Sequence, residues 1–182
     1  MKNSVYPYIL TAFCAAIIAA LAQVSIPLPL IPITGQTLAV GLVVTILGIK
    51  FGTYSVLLYV LLGAIGLPVF QGFSGGAVHL VGPTGGYIVG FIACSLVMGL
   101  YFKFAGVSFT HAVIANMLGM FVTLLFGAVW LKVSNDLSWT AAWVGGVAPF
   151  LVVGVVKGLI AAWVGVIVRD RLMRAKLLPT LA

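Results

Sequence analysis

No Asp, Glu, Lys or Arg occurs between Lys2 and Lys50, nor again between Lys50 and Lys103. Uncharged stretches of that length cannot form the surface of a water-soluble domain, in which about a quarter of the residues carry charge. Only 6% of the 182 residues are charged and 63% are hydrophobic, so most of the surface must face lipid. The apolar segments exceed the ~20 residues that a helix needs to cross a bilayer. They lack the alternating ~10-residue strands of an outer-membrane barrel. The expected fold class is an all-α integral membrane protein, with one transmembrane domain over residues 1–182.

Breakers divide the chain into six expected spans. Span 1 runs from about Tyr8 to Ile26, span 2 from Thr34-Gly35-Gln36 to Lys50, and span 3 from Thr53 to Val69. Span 4 runs from about Gly85 to Phe102, span 5 from Thr110 to Leu131, and span 6 from Gly146 to Val168. Pro27, Pro29 and Pro32 end the first helix and hold the following chain extended. Phe51-Gly52 is read as a tight turn, and Ser134 to Ser138 as a polar connection leading to Trp139 and Trp143, which suit the interfacial aromatic belt. The run from Tyr8 to Ile26 is too long for the apolar core of a signal peptide, and no small-residue cleavage site precedes Pro27.

The net charge of +7 would suggest nucleic acid in a soluble protein. Here the cations flank apolar spans, and the positive-inside rule accounts for them without nucleic acid. With both termini cytoplasmic, Lys2, Lys50, Lys103, Arg169, Arg171, Arg174 and Lys176 lie inside and Lys132 alone lies outside. That orientation puts the Pro-rich loop, the long loop between helices 3 and 4 and the Ser/Asn/Asp loop together on the external face.

The long loop lies within Gly66–Gly90, where Gly75-Gly76, Gly82-Pro83 and Gly85-Gly86 exclude a plain helix. Pro68 to Gly82 is expected to form a lid, and Thr84, Gly85, Gly86 and Tyr87 to open span 4 with free backbone N–H groups suited to a ligand oxygen. Lys157 falls near the middle of span 6, where a cation costs at least ~2.5 kcal/mol. The only acids, Asp136 and Asp170, lie in a loop and a tail, so a ligand with polar or anionic groups could satisfy the lysine, as could backbone carbonyls. Gln36, His79 and Asn116 are further candidates for ligand binding. Gln36 and Asn116 could equally bridge helices, and His79 could be solvated. Ala12, Ala16 and Ala20 make a small-residue stripe that either packs within the chain or docks a membrane partner.

Cys14 and Cys94 fall inside spans and read as small buried hydrophobes, not as a disulfide or metal pair. The sequence contains no Walker-type phosphate loop, no Ser/His/Asp set and no Cys/His cluster at metal spacing. It reads as a binding protein without an energy source or a cofactor, and not as an enzyme. A stand-alone membrane carrier or channel for a small vitamin-like anion is the alternative.

Ile26-Pro27-Leu28-Pro29, the run Pro32 to Leu38, the run Leu62 to Phe70, and Gly82-Pro83-Thr84-Gly85-Gly86-Tyr87 together resemble a known family. They are similar to the biotin-specific substrate-capture subunits (S-components, BioY) of energy-coupling-factor ABC transporters. The resemblance implies a multi-pass protein of the bacterial plasma membrane that captures biotin from outside with high affinity. It implies as partners a transmembrane coupling subunit and two cytoplasmic ATPase subunits, which alone use ATP. It also implies that Ala12, Ala16 and Ala20 dock the coupling subunit. Pro149-Phe150 and Lys157 match the family's last helix, whereas Gly154 stands where similar proteins carry an aspartate, a loss for which Asn116 or Gln36 could compensate.

Overall fold

The computed structural model describes residues 5–178. Lys2, counted above among the inside cations, lies outside them. The described chain is helical apart from one small hairpin. Its helices are α1 (Tyr6–Ala22), α2 (Gln36–Ala64), α3 (Val78–Val81), α4 (Gly85–Ala105), α5 (Phe109–Ser134), α6 (Trp139–Gly146) and α7 (Ala148–Arg174).

Local chemistry explains the boundaries. Proline occupies the first turn of α1 and of α7, where its missing N–H costs nothing. Ser108 and Ser138 cap α5 and α6 by accepting the N–H groups of His111 and Ala141 at 3.3 and 3.2 Å. Gly106, with φ 76°, ends α4. Span 1 stops at Ala22, four residues short of the expected Ile26, because the chain turns into strand β1 (Ser25–Ile26) paired antiparallel with β2 (Ile33–Thr34). The prolines lie between these strands, so the Pro-rich segment is a strapped hairpin.

Helix α2 is a single element only in name. Gly48 adopts φ 73°, and beyond it the helix runs back along itself. Gln36 and Tyr59 are 23 residues apart, which a straight helix would separate by about 34 Å, yet their side chains are hydrogen-bonded. Gly52 packs its backbone against Val44 for the same reason. The expected turn at Phe51-Gly52 therefore falls at Gly48, since only glycine takes that φ without strain. Span 3 ends at Ala64 rather than Val69. The segment read as a connection through Trp139 and Trp143 is the helix α6.

Gly85–Ala105, Phe109–Ser134 and Trp139–Arg174 are long and apolar enough to cross a membrane, as is Gln36–Ala64 counted end to end, although its arms on either side of Gly48 are each shorter, as is Tyr6–Ala22. Packing joins α4 to α5, both halves' worth of α2 to its neighbours α1, α4 and α7, and α5 to α7. Tyr59, Met98, Phe102 and Leu131 are fully buried between them, whereas Phe104, Phe121, Val152 and Trp163 are exposed on the outer faces. An apolar exterior around an apolar interior is the pattern of a bundle solvated by lipid.

Two ends can be distinguished. At one, Gly99 packs on Ile49, and Arg169 donates from Nη1 to the Ile46 carbonyl next to the Gly48 turn. Arg169 is buried there, although in the sequence it reads as part of a basic tail. At the other end, the hairpin, the 65–84 segment and α6 converge. Leu30 lies against Gly145, and Trp130 Nε1 donates to Gly82 O at 2.9 Å.

Candidate ligand site

A cavity opens at the loop end between α2, α4, α5 and α7, with the 65–84 segment across it. Its walls are mainly apolar, formed by Val40, Ile88, Phe91, Met98, Leu124, Phe150 and Val153 among others. Gln36, His79, Thr84, Tyr87, Asn116 and Lys157, all singled out in the sequence, line it together. Residues far apart in the chain thus converge on one volume, as the start of α2 packs against α7 and α5.

Each polar group has a defined disposition. Asn116 donates from Nδ2 to Ala112 O at 2.8 Å and to Thr45 Oγ1 at 3.1 Å, which fixes the orientation of the amide. Its Oδ1 rests against Gly41, where the absence of a Cβ makes room, and receives no hydrogen bond among the described residues. Here it offers a fixed contact for an N–H entering the cavity.

Lys157 reaches across to the start of α2 and donates from Nζ to Thr34 O at 2.7 Å and to Thr37 Oγ1 at 3.3 Å. The backbone-carbonyl partner expected as one alternative for this lysine is thus present. No Asp or Glu lines the cavity, so the ammonium has no counter-charge within it. Gly154 faces Met120, whose thioether fills the space that a side chain at 154 would take.

Gln36 is committed on both sides. Its Nε2 donates to the Tyr59 hydroxyl and its Oε1 accepts from Thr34 Oγ1 at 2.8 Å. It therefore orders the wall more than it offers free groups. Tyr87 spends its hydroxyl on Gly146 O at 2.6 Å and presents its ring to the cavity. Thr84 Oγ1 stands 3.5 Å from His79 O, and His79 packs edge-on against Phe70 with ring centroids 5.8 Å apart. Gly85 and Gly86 do not line the cavity. They press against Leu80 O and Trp130, letting α4 and α5 close up.

Phe70 and Tyr59 are functional candidates that the sequence did not single out. The Phe70 ring is 2% exposed, inserted against Gly63 and edge-on to Tyr59 at 5.6 Å. It plugs the lid into the body. An aromatic in a glycine-rich loop, two residues after Pro68, is the hint in the sequence. The 65–84 segment otherwise bends on Gly66, Gly72 and Gly76, all at positive φ, and closes a small Phe70–Ser74 bridge.

On α1, Thr11, Cys14, Ala15 and Ile18 are buried toward α2, whereas Ala12, Ala16 and Ala20 are exposed on the opposite side. The stripe is not used for packing within the described chain.

A helical membrane-type bundle with a lidded, apolar cavity is the class that this architecture defines. The chain matches the BioY family over residues 1–174 and belongs to it. It is 37% identical over 166 residues to biotin transporter BioY2 of Lactococcus lactis subsp. cremoris, covering 91% of each chain. It is likewise 37% identical to a probable biotin transporter BioY of Pyrococcus horikoshii, covering 90% of this chain and 93% of that one. In three dimensions it superposes on the crystal structure of the S-component for biotin from an ECF-type ABC transporter. The TM-score is 0.83 with 26% identity, covering 91% of this chain and 92% of the other.

Proposed function

We propose that this chain is the biotin-capturing S-component of an energy-coupling-factor transporter and binds biotin in the cavity beneath the 65–84 lid. One observation carries the reading: an enclosed apolar cavity whose available polar groups are a fixed acceptor, Asn116 Oδ1, and an uncompensated cation, Lys157. Biotin has an apolar bicycle and chain, urea N–H donors, and oxygens in its urea and carboxylate. An N–H of the ligand meets Asn116, an oxygen displaces Thr34 O on Lys157, and the rings of Tyr87 and Phe150 flank the apolar part. Gln36, Thr84 and His79 complete the polar rim. Gly85 and Gly86 serve by bringing the start of α4 close to Trp130.

The six-span reading rests on the reversal at Gly48, which gives α2 two antiparallel crossings, together with α1, α4, α5 and α7. The chain is then one domain of the bacterial plasma membrane with both termini cytoplasmic. Lys50, Lys103 and the basic end of α7 face the cytoplasm, and the lid faces outside. The outward stripe of Ala12, Ala16 and Ala20 docks a transmembrane coupling subunit, and two partner ATPases supply the energy. The chain itself uses no cofactor. Calorimetric titration of the purified protein with biotin tests the reading: saturable binding is expected, and none at micromolar ligand would sink it.

A further inference from the structure

Gln23 lies just past the end of α1, yet its side chain makes long-range contacts that nothing in its sequence position suggests. Nε2 donates to Ala19 O at 3.0 Å and to Phe70 O at 3.1 Å, with Val69 O at 3.5 Å. Oε1 accepts the Phe73 N–H at 2.8 Å. One amide thus spans the end of α1 and both strands of the Phe70–Ser74 bridge. It does so at the point where Phe70 is buried over the cavity and Phe73 is 73% exposed. Phe73 adopts φ 53°, a conformation that costs a non-glycine residue energy and persists only where its surroundings hold it. Its N–H bond to Gln23 and the flanking Phe70–Ser74 backbone pair hold it. A second, longer tie runs from Gln71 Nε2 to Ser25 Oγ at 3.4 Å.

The body side of this contact matters as much. Helix α1 packs on α2 and on no other helix to a comparable extent, so it is the least embedded of the long elements. The other anchors of the lid are the Phe70 ring against Gly63, Gly76 N–H to Gly63 O at 2.7 Å and, at its far end, Trp130 Nε1 to Gly82 O at 2.9 Å. Removing the Gln23 contacts leaves the Phe70–Ser74 tip held to the body by the Phe70 plug, the Gly76–Gly63 bond and the longer Gln71–Ser25 tie.

We propose that Gln23 is a positioning residue that clasps the lid to the end of α1, so that the placement of α1 against α2 controls how long the lid stays shut on its ligand. It touches no ligand. A displacement of α1 draws Gln23 from Phe70 and Phe73, and the lid then opens on Gly66 and Gly76. The proposal rests on the reading of the cavity as the biotin site, but the clasp itself can be tested without ligand.

The test compares wild type, Gln23→Leu, Gln23→Glu and Ser25→Ala in the full chain in lipid nanodiscs. In ligand-free protein, amide hydrogen exchange over residues 66–82 should quicken at least tenfold in Gln23→Leu, with α4 and α5 at wild-type rates. Gln23→Glu keeps the acceptor for Phe73 and loses the donor to Phe70, so it should fall between. Ser25→Ala should change least. Release of labelled biotin after an unlabelled chase should quicken at least fivefold in Gln23→Leu. Wild-type exchange over 66–82 would overturn the clasp, as would exchange raised equally in α4 and α5. Because the exchange arm needs no ligand, a chain that failed to bind biotin would still show a selective rise if the clasp exists. Selective exchange with unchanged biotin release would overturn its role in retention.

Discussion

The two ends of the bundle join their helices by opposite means. At the Gly48 end the chain turns in a single glycine, and the carbonyl of Ile46 beside it accepts from a buried arginine of another helix. At the loop end, a proline hairpin and a 20-residue lid segment are tied by side chains bonded to backbone: Lys157 to Thr34, Gln23 to Phe70 and Phe73, and Trp130 to Gly82. The first arrangement has one low-energy form. The second is a set of separable ties around three glycines at positive φ. Substitutions should therefore divide by end, with affinity lost at the loop end and stability at the other.

The sharpest test of that division is Gly63→Leu. Its side chain would occupy the place of the Phe70 ring and expel the plug of the lid. Full burial of a phenylalanine is worth about 1.5–3 kcal/mol, so biotin affinity should fall by roughly 10- to 100-fold where lid closure is coupled to binding. Lys157→Met comes next. Loss of a charge-assisted hydrogen bond costs about 1.5–3 kcal/mol, and affinity should weaken at least tenfold. Unchanged affinity in titration calorimetry would make Lys157 a strap for the Pro-rich hairpin alone.

Arg169→Met should invert the pattern. It leaves Ile46 O unpaired in an apolar surround, which costs about 1–3 kcal/mol. Thermal unfolding in detergent should shift down, while biotin affinity in the folded fraction stays within about threefold. An affinity loss larger than the stability loss would show that the two ends are coupled.

How far the sequence could be read follows the same line. The spans were legible because charge-free apolar runs and glycine or proline breakers are local signals. Lys157 and Asn116 were legible because a polar group in a span is costly wherever it points. The Gly48 turn, one residue cluster away from the expected Phe51-Gly52, was not, since several glycines nearby could have taken a positive φ. Gln23, Tyr59 and Arg169 were missed for a physical reason. Their roles come from partners 23 to 123 residues away, and nothing in their neighbourhoods differs from a helix end, a core aromatic or a basic flank.

The smallest expected effect on affinity belongs to the exposed face of α1. Ala12, Ala16 and Ala20 are exposed along one side of the helix, opposite the residues packed on α2. Small residues let a second helix approach closely, and a bulky side chain on that face prevents it. Ala16→Trp should therefore leave biotin binding and thermal unfolding at wild-type values, because the indole extends into lipid. ATP-dependent biotin uptake in cells that also express the coupling and ATPase subunits should be abolished. Retention of the coupling subunit on the purified variant at wild-type yield would mean that docking uses another surface. Reduced binding by the isolated variant would mean that α1 reports to the lid even without a partner, which would place the clasp at Gln23 within reach of this face.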